Sequence, residues 1–226
     1  MSLTREVRGV LFDLDNTLHD RDEAFVAWSY AFVADHLHVS DPTLADRLVS
    51  LIVEIDDAGR GDKLSLFGTL KQLCPAAEMT PPEMLADFFA TRTDHMRVDD
   101  SVPALLAELH RRELPWGIVT NGGVEQWDKL RALKLDIATT AIIVSSDFGP
   151  AKPDPTIFTA AAGKLGVAPE HILFVGDHPV ADIAGAQSVG MMTAWLSRDR
   201  EWPTDMIDVG PDAILDDIGD VASLLT

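Results

Sequence analysis

Cysteine is nearly absent from this chain: among 226 residues only Cys74 carries a thiol. A disulfide within the chain is therefore excluded, and the composition suits a reducing compartment. Cys74 stands before Pro75 with no patterned histidine partner, so it reads as a packed thiol rather than a nucleophile. Basic residues are scarce as well. Against 37 Asp and Glu stand 18 Lys and Arg, a formal charge of −19, which disfavours nucleic acid or an anionic membrane surface as a partner. No apolar run is long enough to span a bilayer, and the first residues lack the basic and apolar pattern of a secretory signal, so the expectation is a cytoplasmic protein. Internal repeats and low-complexity segments are missing too. An anionic substrate would have to be drawn in against the global field by local charges: a metal ion, a lysine, helix N-termini.

What is present begins with residues 9–18. Gly9-Val10-Leu11-Phe12 is small or apolar throughout and reads as a buried strand. Asp13 and Asp15 follow two residues apart, then Asn16 and Thr17. Residues two apart on a strand face one side, and two acids there repel each other unless a cation compensates. Carboxylate and carbonyl oxygens suit Mg²⁺. Taken alone, the stretch also suits a strand running into an Asx-type turn.

Residues 19–95 then read as helices with no strand: apolar positions recur at helical spacing over 22–38, 44–55, 64–73 and from 80 onward, with Pro81 and Pro82 suited to a first turn. The aromatic residues of this block are expected in its core. Arg60 and Lys63 lie on a glycine-flanked loop and are either solvated charges or substrate contacts. From Val98 strands and helices alternate, with strands at 116–120, 141–144, 172–175, 191–196 and 213–215. A chain of this length, 46% hydrophobic, supports one α/β domain with a small insertion. The expected architecture is a doubly wound, Rossmann-like parallel sheet formed by 1–18 and 96–226, interrupted by an all-helical domain at 19–95.

Polar residues recur where the strands end: Asp13, Asp15, Thr17, Thr120, Asn121, Lys152, Asp177 and Asp182. Parallel strands finish on one edge, so these groups can converge, and phosphoryl transfer has a use for each. A carboxylate serves as nucleophile. Mg²⁺, Lys152, the Thr17 and Thr120 hydroxyls and the backbone N–H groups of Asn121 and Gly122 would hold phosphoryl oxygens. The second carboxylate would protonate the leaving alkoxide and then activate water, which calls for a raised pKa.

The set resembles the haloacid dehalogenase superfamily, in its phosphatase branch, over essentially the whole chain. Asp13-Leu14-Asp15-Asn16-Thr17 is similar to its DxDxT motif, Thr120 to the second motif, Lys152 in Lys-Pro-Asp-Pro to the third, and Gly176-Asp177-His178-Pro179-Val180-Ala181-Asp182 to the GDxxxxD fourth. The resemblance implies that Asp13 is nucleophile and Mg²⁺ ligand, and that Asp15 is general acid/base and binds metal through its carbonyl. It implies Asp177 as direct metal ligand, and Asp182 as ligand or as support to Lys152. It also implies that the helical insertion is a cap closing over the site, with Arg60 and Lys63 as substrate-reading residues. His19 lies just past the first motif, near the hinge or the site entrance, or is simply exposed; His178 sits within the fourth motif and could face the site. The substrate implied is a small phosphorylated metabolite; a phosphomutase or a dehalogenase of the same superfamily, or a phosphoryl-accepting receiver module, are the alternatives.

Overall fold

The computed structural model describes residues 3, 5–139, 141–206 and 210–225. Six parallel strands form its sheet: β1 (Gly9–Phe12), β2 (Trp116–Thr120), β3 (Ile142–Val144), β4 (Ile172–Gly176), β5 (Met192–Leu196) and β6 (Ala213–Leu215), in the order β3-β2-β1-β4-β5-β6. β1 and β4 are buried along their whole length, which is why they read as unbroken apolar runs rather than alternating ones. The order reverses between β1 and β4, the strands that carry Asp13 and Asp177 just beyond their ends. Open sheets of this kind bind ligands at that reversal.

The chain divides into two compact units, Met1–Asp20 with Arg97–Thr226, and Arg21–Met96. The sequence-based division ran two residues shorter at the first junction. Asp20 stays with the α/β unit because its carboxylate pairs with Arg198 at 3.2 Å, while the Leu18 carbonyl accepts from the Asp99 N–H at 3.0 Å.

All regular structure in the second unit is helical: α1 (Arg21–His36), α2 (Pro42–Asp56), α3 (Lys63–Leu73) and α4 (Pro81–Thr91). Short polar caps set the starts. Asp41 and Asp62 accept N–H groups of Thr43 and Ser65, and Thr80 and Glu83 form a reciprocal capping box. Its core is aromatic, as the sequence predicts. Trp28 stacks on Phe32 at 5.0 Å and meets Phe88 edge-on at 4.9 Å, with Phe67 and Phe25 around them. Such pairs add about 0.5–1.5 kcal/mol each beyond the area they bury.

In the α/β unit, α5 (Val102–Arg111), α6 (Glu125–Ala132), α7 (Ser145–Phe148) and α8 (Pro155–Leu165) lie between strands. Phe158 of α8 packs edge-on against Phe174 of β4, within a core that also takes in Leu11, Val119 and Ile143. After β4 the chain enters a wide π-helical turn over Pro179–Ala184, four residues before the helix expected from the apolar spacing. Such turns are rare and recur at functional sites. No helix among the described residues is long and apolar enough to cross a membrane.

Candidate active site

Asp13 leaves β1 with its N–H bonded to the Val175 carbonyl of β4 at 2.9 Å. Its Oδ1 lies 2.6 Å from Lys152 Nζ, which also meets Asp182 Oδ1 at 2.7 Å. All three side chains are buried. Lys152 is placed through its backbone: the Asn121 amide accepts from the Lys152 N–H and donates to the Lys152 carbonyl, at 2.8 and 2.9 Å. Asp182 reaches in from the π-helical turn. Gly176 makes room for it, because a Cβ there would stand 2.5 Å from Asp182 Cγ. Carboxylate oxygens of Asp13, Asp177 and Asp182 all lie within 4.8 Å of one another.

Burial pushes the Asp13 carboxyl well above the ordinary range; Lys152 pulls it back, and Asp182 and Asp177 add to the rise. Asp177 is raised to about 7, chiefly by burial and then by Asp182, with Arg200 and Lys152 opposing. Lys152 is also raised above its ordinary value: burial pulls it down, but the attraction of Asp13 and Asp182 exceeds that penalty. Acid excess and hard oxygen donors at one point fit a divalent cation such as Mg²⁺. Asp13 and Asp177 are the better placed to hold it. Asp182 has one oxygen on Lys152 and the other on the His178 N–H, at 2.9 Å.

Asp15 stands apart from this cluster. Its Oδ2 takes Lys129 Nζ at 2.5 Å and Gln126 Nε2 at 3.2 Å, and its Oδ1 meets His19 Nε2 at 2.8 Å. Burial pushes its carboxyl up, but Lys129 and His19 together pull it down far below the usual range. The raised pKa expected of it is therefore not found in this structure. The expectation weighed burial and the neighbouring Asp13, and left out the lysine 114 residues away.

A family model described as haloacid dehalogenase-like hydrolase matches residues 7–190. The chain belongs to the haloacid dehalogenase-like hydrolases. It is similar to the glyceraldehyde 3-phosphate phosphatase of Pyrococcus furiosus, 31% identical over 210 residues, 89% of this chain and 85% of the relative. The N-acetylmuramic acid 6-phosphate phosphatase of Pseudomonas aeruginosa is 28% identical over 93% of this chain and 94% of its own length. Among solved structures, a HAD phosphatase from Thermococcus onnurineus is 26% identical, with a TM-score of 0.64, and the match covers 97% of this chain and 98% of that one. The chain is thus an enzyme of the family's phosphatase branch.

Around the motifs of this haloacid dehalogenase-like hydrolase the remaining residues separate clearly. The Thr17 hydroxyl is fully buried with no hydrogen-bond partner among the described residues. Thr120 Oγ1 is buried 3.4 Å from Gln126 Oε1. The Gly122 N–H, expected free for a phosphoryl oxygen, is donated to Ser145 Oγ at 3.0 Å. Gly122 has φ +145, and a Cβ there would meet Gln126 Nε2 at 2.6 Å, so the glycine serves the tucked Gln126. The Asn121 side chain is wholly engaged with Lys152, leaving only its backbone for a ligand. His178 uses Nδ1 to accept from the Val180 and Ala181 N–H groups, a helix-capping role. His19 is fully buried rather than exposed, because Asp15 claims its ring.

Arg60 and Lys63 belong to the helical unit. Lys63 is no loose loop charge: its Nζ lies 2.6 Å from Asp56 Oδ1, since Asp56 is buried and must be paired. Arg60 is exposed and pairs with Asp57 at 2.7 Å. Lys129, Gln126 and Arg200 were missed by sequence reasoning. The first two share one face of α6 directly after the second motif, three residues apart, and that spacing was the available signal.

Proposed function

We propose that this hydrolase cleaves a small phosphomonoester through an aspartyl phosphate on Asp13, with Mg²⁺ as its cation. The observation that carries the reading is the convergence of Asp13, Lys152, Asp177 and Asp182 at the ends of β1 and β4. Asp13 Oδ attacks phosphorus in line with the ester oxygen, and the P–O bond to the alcohol breaks as the acyl phosphate forms. Lys152 favours the ionised form of Asp13, as a bound cation would too, and orients it. The leaving alkoxide takes a proton from Asp15. Water then attacks the acyl phosphate and gives a proton back to Asp15, releasing inorganic phosphate and restoring Asp13. In the resting structure Asp15 is an ion-paired carboxylate; a phosphoryl dianion beside it adds negative charge and raises its affinity for the proton. The Thr17 and Thr120 hydroxyls and the Asn121 N–H are the donors for phosphoryl oxygens. Asp13, Asp177 and the Asp15 carbonyl would hold Mg²⁺, whose charge, when bound, neutralises the phosphoryl oxygens. Relatives named for glyceraldehyde 3-phosphate and N-acetylmuramic acid 6-phosphate support the substrate class, and the single cysteine fits a cytoplasmic setting.

The test is phosphate release from a panel of phosphorylated metabolites, with Mg²⁺ and with chelator. Mg²⁺-dependent release concentrated on one chemical class supports the reading and names the class. Undiminished release in chelator removes the cation from it, and transfer to a second sugar phosphate in place of water points to a mutase.

A further inference from the structure

Arg200 lies in the loop after β5, outside every motif, and its guanidinium meets Asp177. Nη2 is 3.1 Å from Asp177 Oδ2, 3.1 Å from the Asp177 carbonyl and 3.2 Å from the Leu196 carbonyl, while Nε donates to the Ser197 carbonyl at 2.9 Å. The guanidinium carbon sits 5.7 Å from the centre of the Trp195 ring, and Trp195 Nε1 donates to the same Asp177 carbonyl at 2.8 Å. Most of these contacts go to backbone and ring. The half-exposed guanidinium is thus tied to its own loop as well as to Asp177.

The charges around the cluster give this a consequence. Lys152 serves Asp13 and Asp182. Among the described residues, the cation at ion-pair distance from Asp177 is Arg200. A guanidinium cannot give up its proton, so the positive charge is permanent. It fixes the Asp177 carboxylate, as partners of metal-ligating carboxylates do, and it repels an arriving divalent cation.

We propose that Arg200 is a positioning residue for Asp177 that holds the cluster's affinity for Mg²⁺ below what its three carboxylates would otherwise give. The inference rests on the reading of Asp177 as a Mg²⁺ ligand. The half-exposed guanidinium is partly screened by water, but it stands 3.1 Å from an oxygen of the buried Asp177 carboxylate, close enough for its repulsion of a divalent cation to outweigh the gain from orientation.

The test is calorimetric titration of the whole protein with MgCl₂, alongside the rise of Tm with Mg²⁺, for wild type, R200M and R200K. R200M is expected to bind Mg²⁺ about 5-fold more tightly, and R200K, which keeps the charge, to stay within about 2-fold of wild type. Affinity in R200M that is unchanged or weaker overturns the inference, as does R200K tightening as far as R200M, since charge would not then be the agent. If wild type binds Mg²⁺ and only the R200M result fails, the fault lies with this inference alone. If wild type binds none, the assignment of Mg²⁺ to the site falls with it. Should R200M not melt cooperatively, R200Q, which keeps a donor for the loop carbonyls, is read in its place.

Discussion

In the helical unit one buried carboxylate, Asp56, faces two cations: Arg21, bonded to its Oδ2, and Lys63, with a loop amide from Gly59 completing the shell. In the α/β unit one buried ammonium, Lys152, faces two carboxylates, which have oxygens within 4.8 Å of those of a third. Both arrangements are buried and hydrogen-bonded, but their charge counts are opposite. The first is satisfied by the chain itself and fastens the end of α2 to the starts of α1 and α3. The second carries more negative charge than the chain supplies cations for, and only such a site has reason to take up a cation and a phosphoryl group. Burial of charge alone does not mark function; the sign of the imbalance does.

The comparison breaks most sharply at Asp13. Asp13→Asn should lower phosphate release by at least about 10³-fold, since the amide is no nucleophile, while the variant melts no lower than its parent because it relieves acid excess. Retention of more than a tenth of the wild-type rate would falsify the covalent route. Asp56→Asn should do the reverse: about 3–5 kcal/mol lost in a denaturant titration, from two cations left without their buried partner, with the rate per folded molecule unchanged. A stable Asp56→Asn protein with altered turnover would dissolve the distinction between the two clusters. Next in size is Lys129→Met. With Asp15 held only by His19 and Gln126, kcat on an alkyl phosphate should fall about 10-fold further than on an aryl phosphate, whose leaving group needs little protonation; equal losses on the two esters would deny Asp15 its acid role.

The smallest effect is expected at Glu108, which has the same charge count as Asp56 but lies on the surface. Side-chain bonds from Arg111 and Arg112 hold its carboxyl down at about 2. A depressed acid stabilises the fold above its unfolded value, 4.5, and that contribution fades as pH falls toward 2. Glu108→Gln should therefore lower stability slightly above pH 4.5, by less than any variant above, and the difference from wild type should vanish as pH falls toward 2. A large loss at neutral pH would show that charge count outweighs burial.

The fold was legible because parallel strands buried on both faces cannot hide their apolar runs: Gly9–Phe12 and Ile172–Val175 leave no other reading, and their polar ends then fall on one edge. The motif residues Asp13, Lys152, Asp177 and Asp182 were legible for the same reason. What stayed hidden was pairing between distant residues. Lys129 looks like a solvated helix charge until Asp15 is set beside it, and its presence reverses the expected pKa. Arg200 sits in a loop with no pattern, and Lys63 was read by its exposed glycine neighbours rather than by Asp56, which ends the preceding helix. Side-chain amides were the other blind spot: Asn121 was weighed for its backbone, and its side chain turned out to place Lys152.

That amide has a chemical side as well. Asn121 is followed by Gly122, and an asparagine before glycine is prone to deamidation, in which the glycine nitrogen closes on the side-chain carbon to form a succinimide. Here both ends of the amide are held by the Lys152 backbone, and the Gly122 nitrogen is committed to Ser145, so the ring cannot close without unfolding the loop. The molecule's chemical ageing is thereby tied to its conformation. Peptide mapping should find deamidation at Asn121 in protein stored in denaturant and little in protein stored folded, so that this one bond keeps a record of the time the chain has spent open.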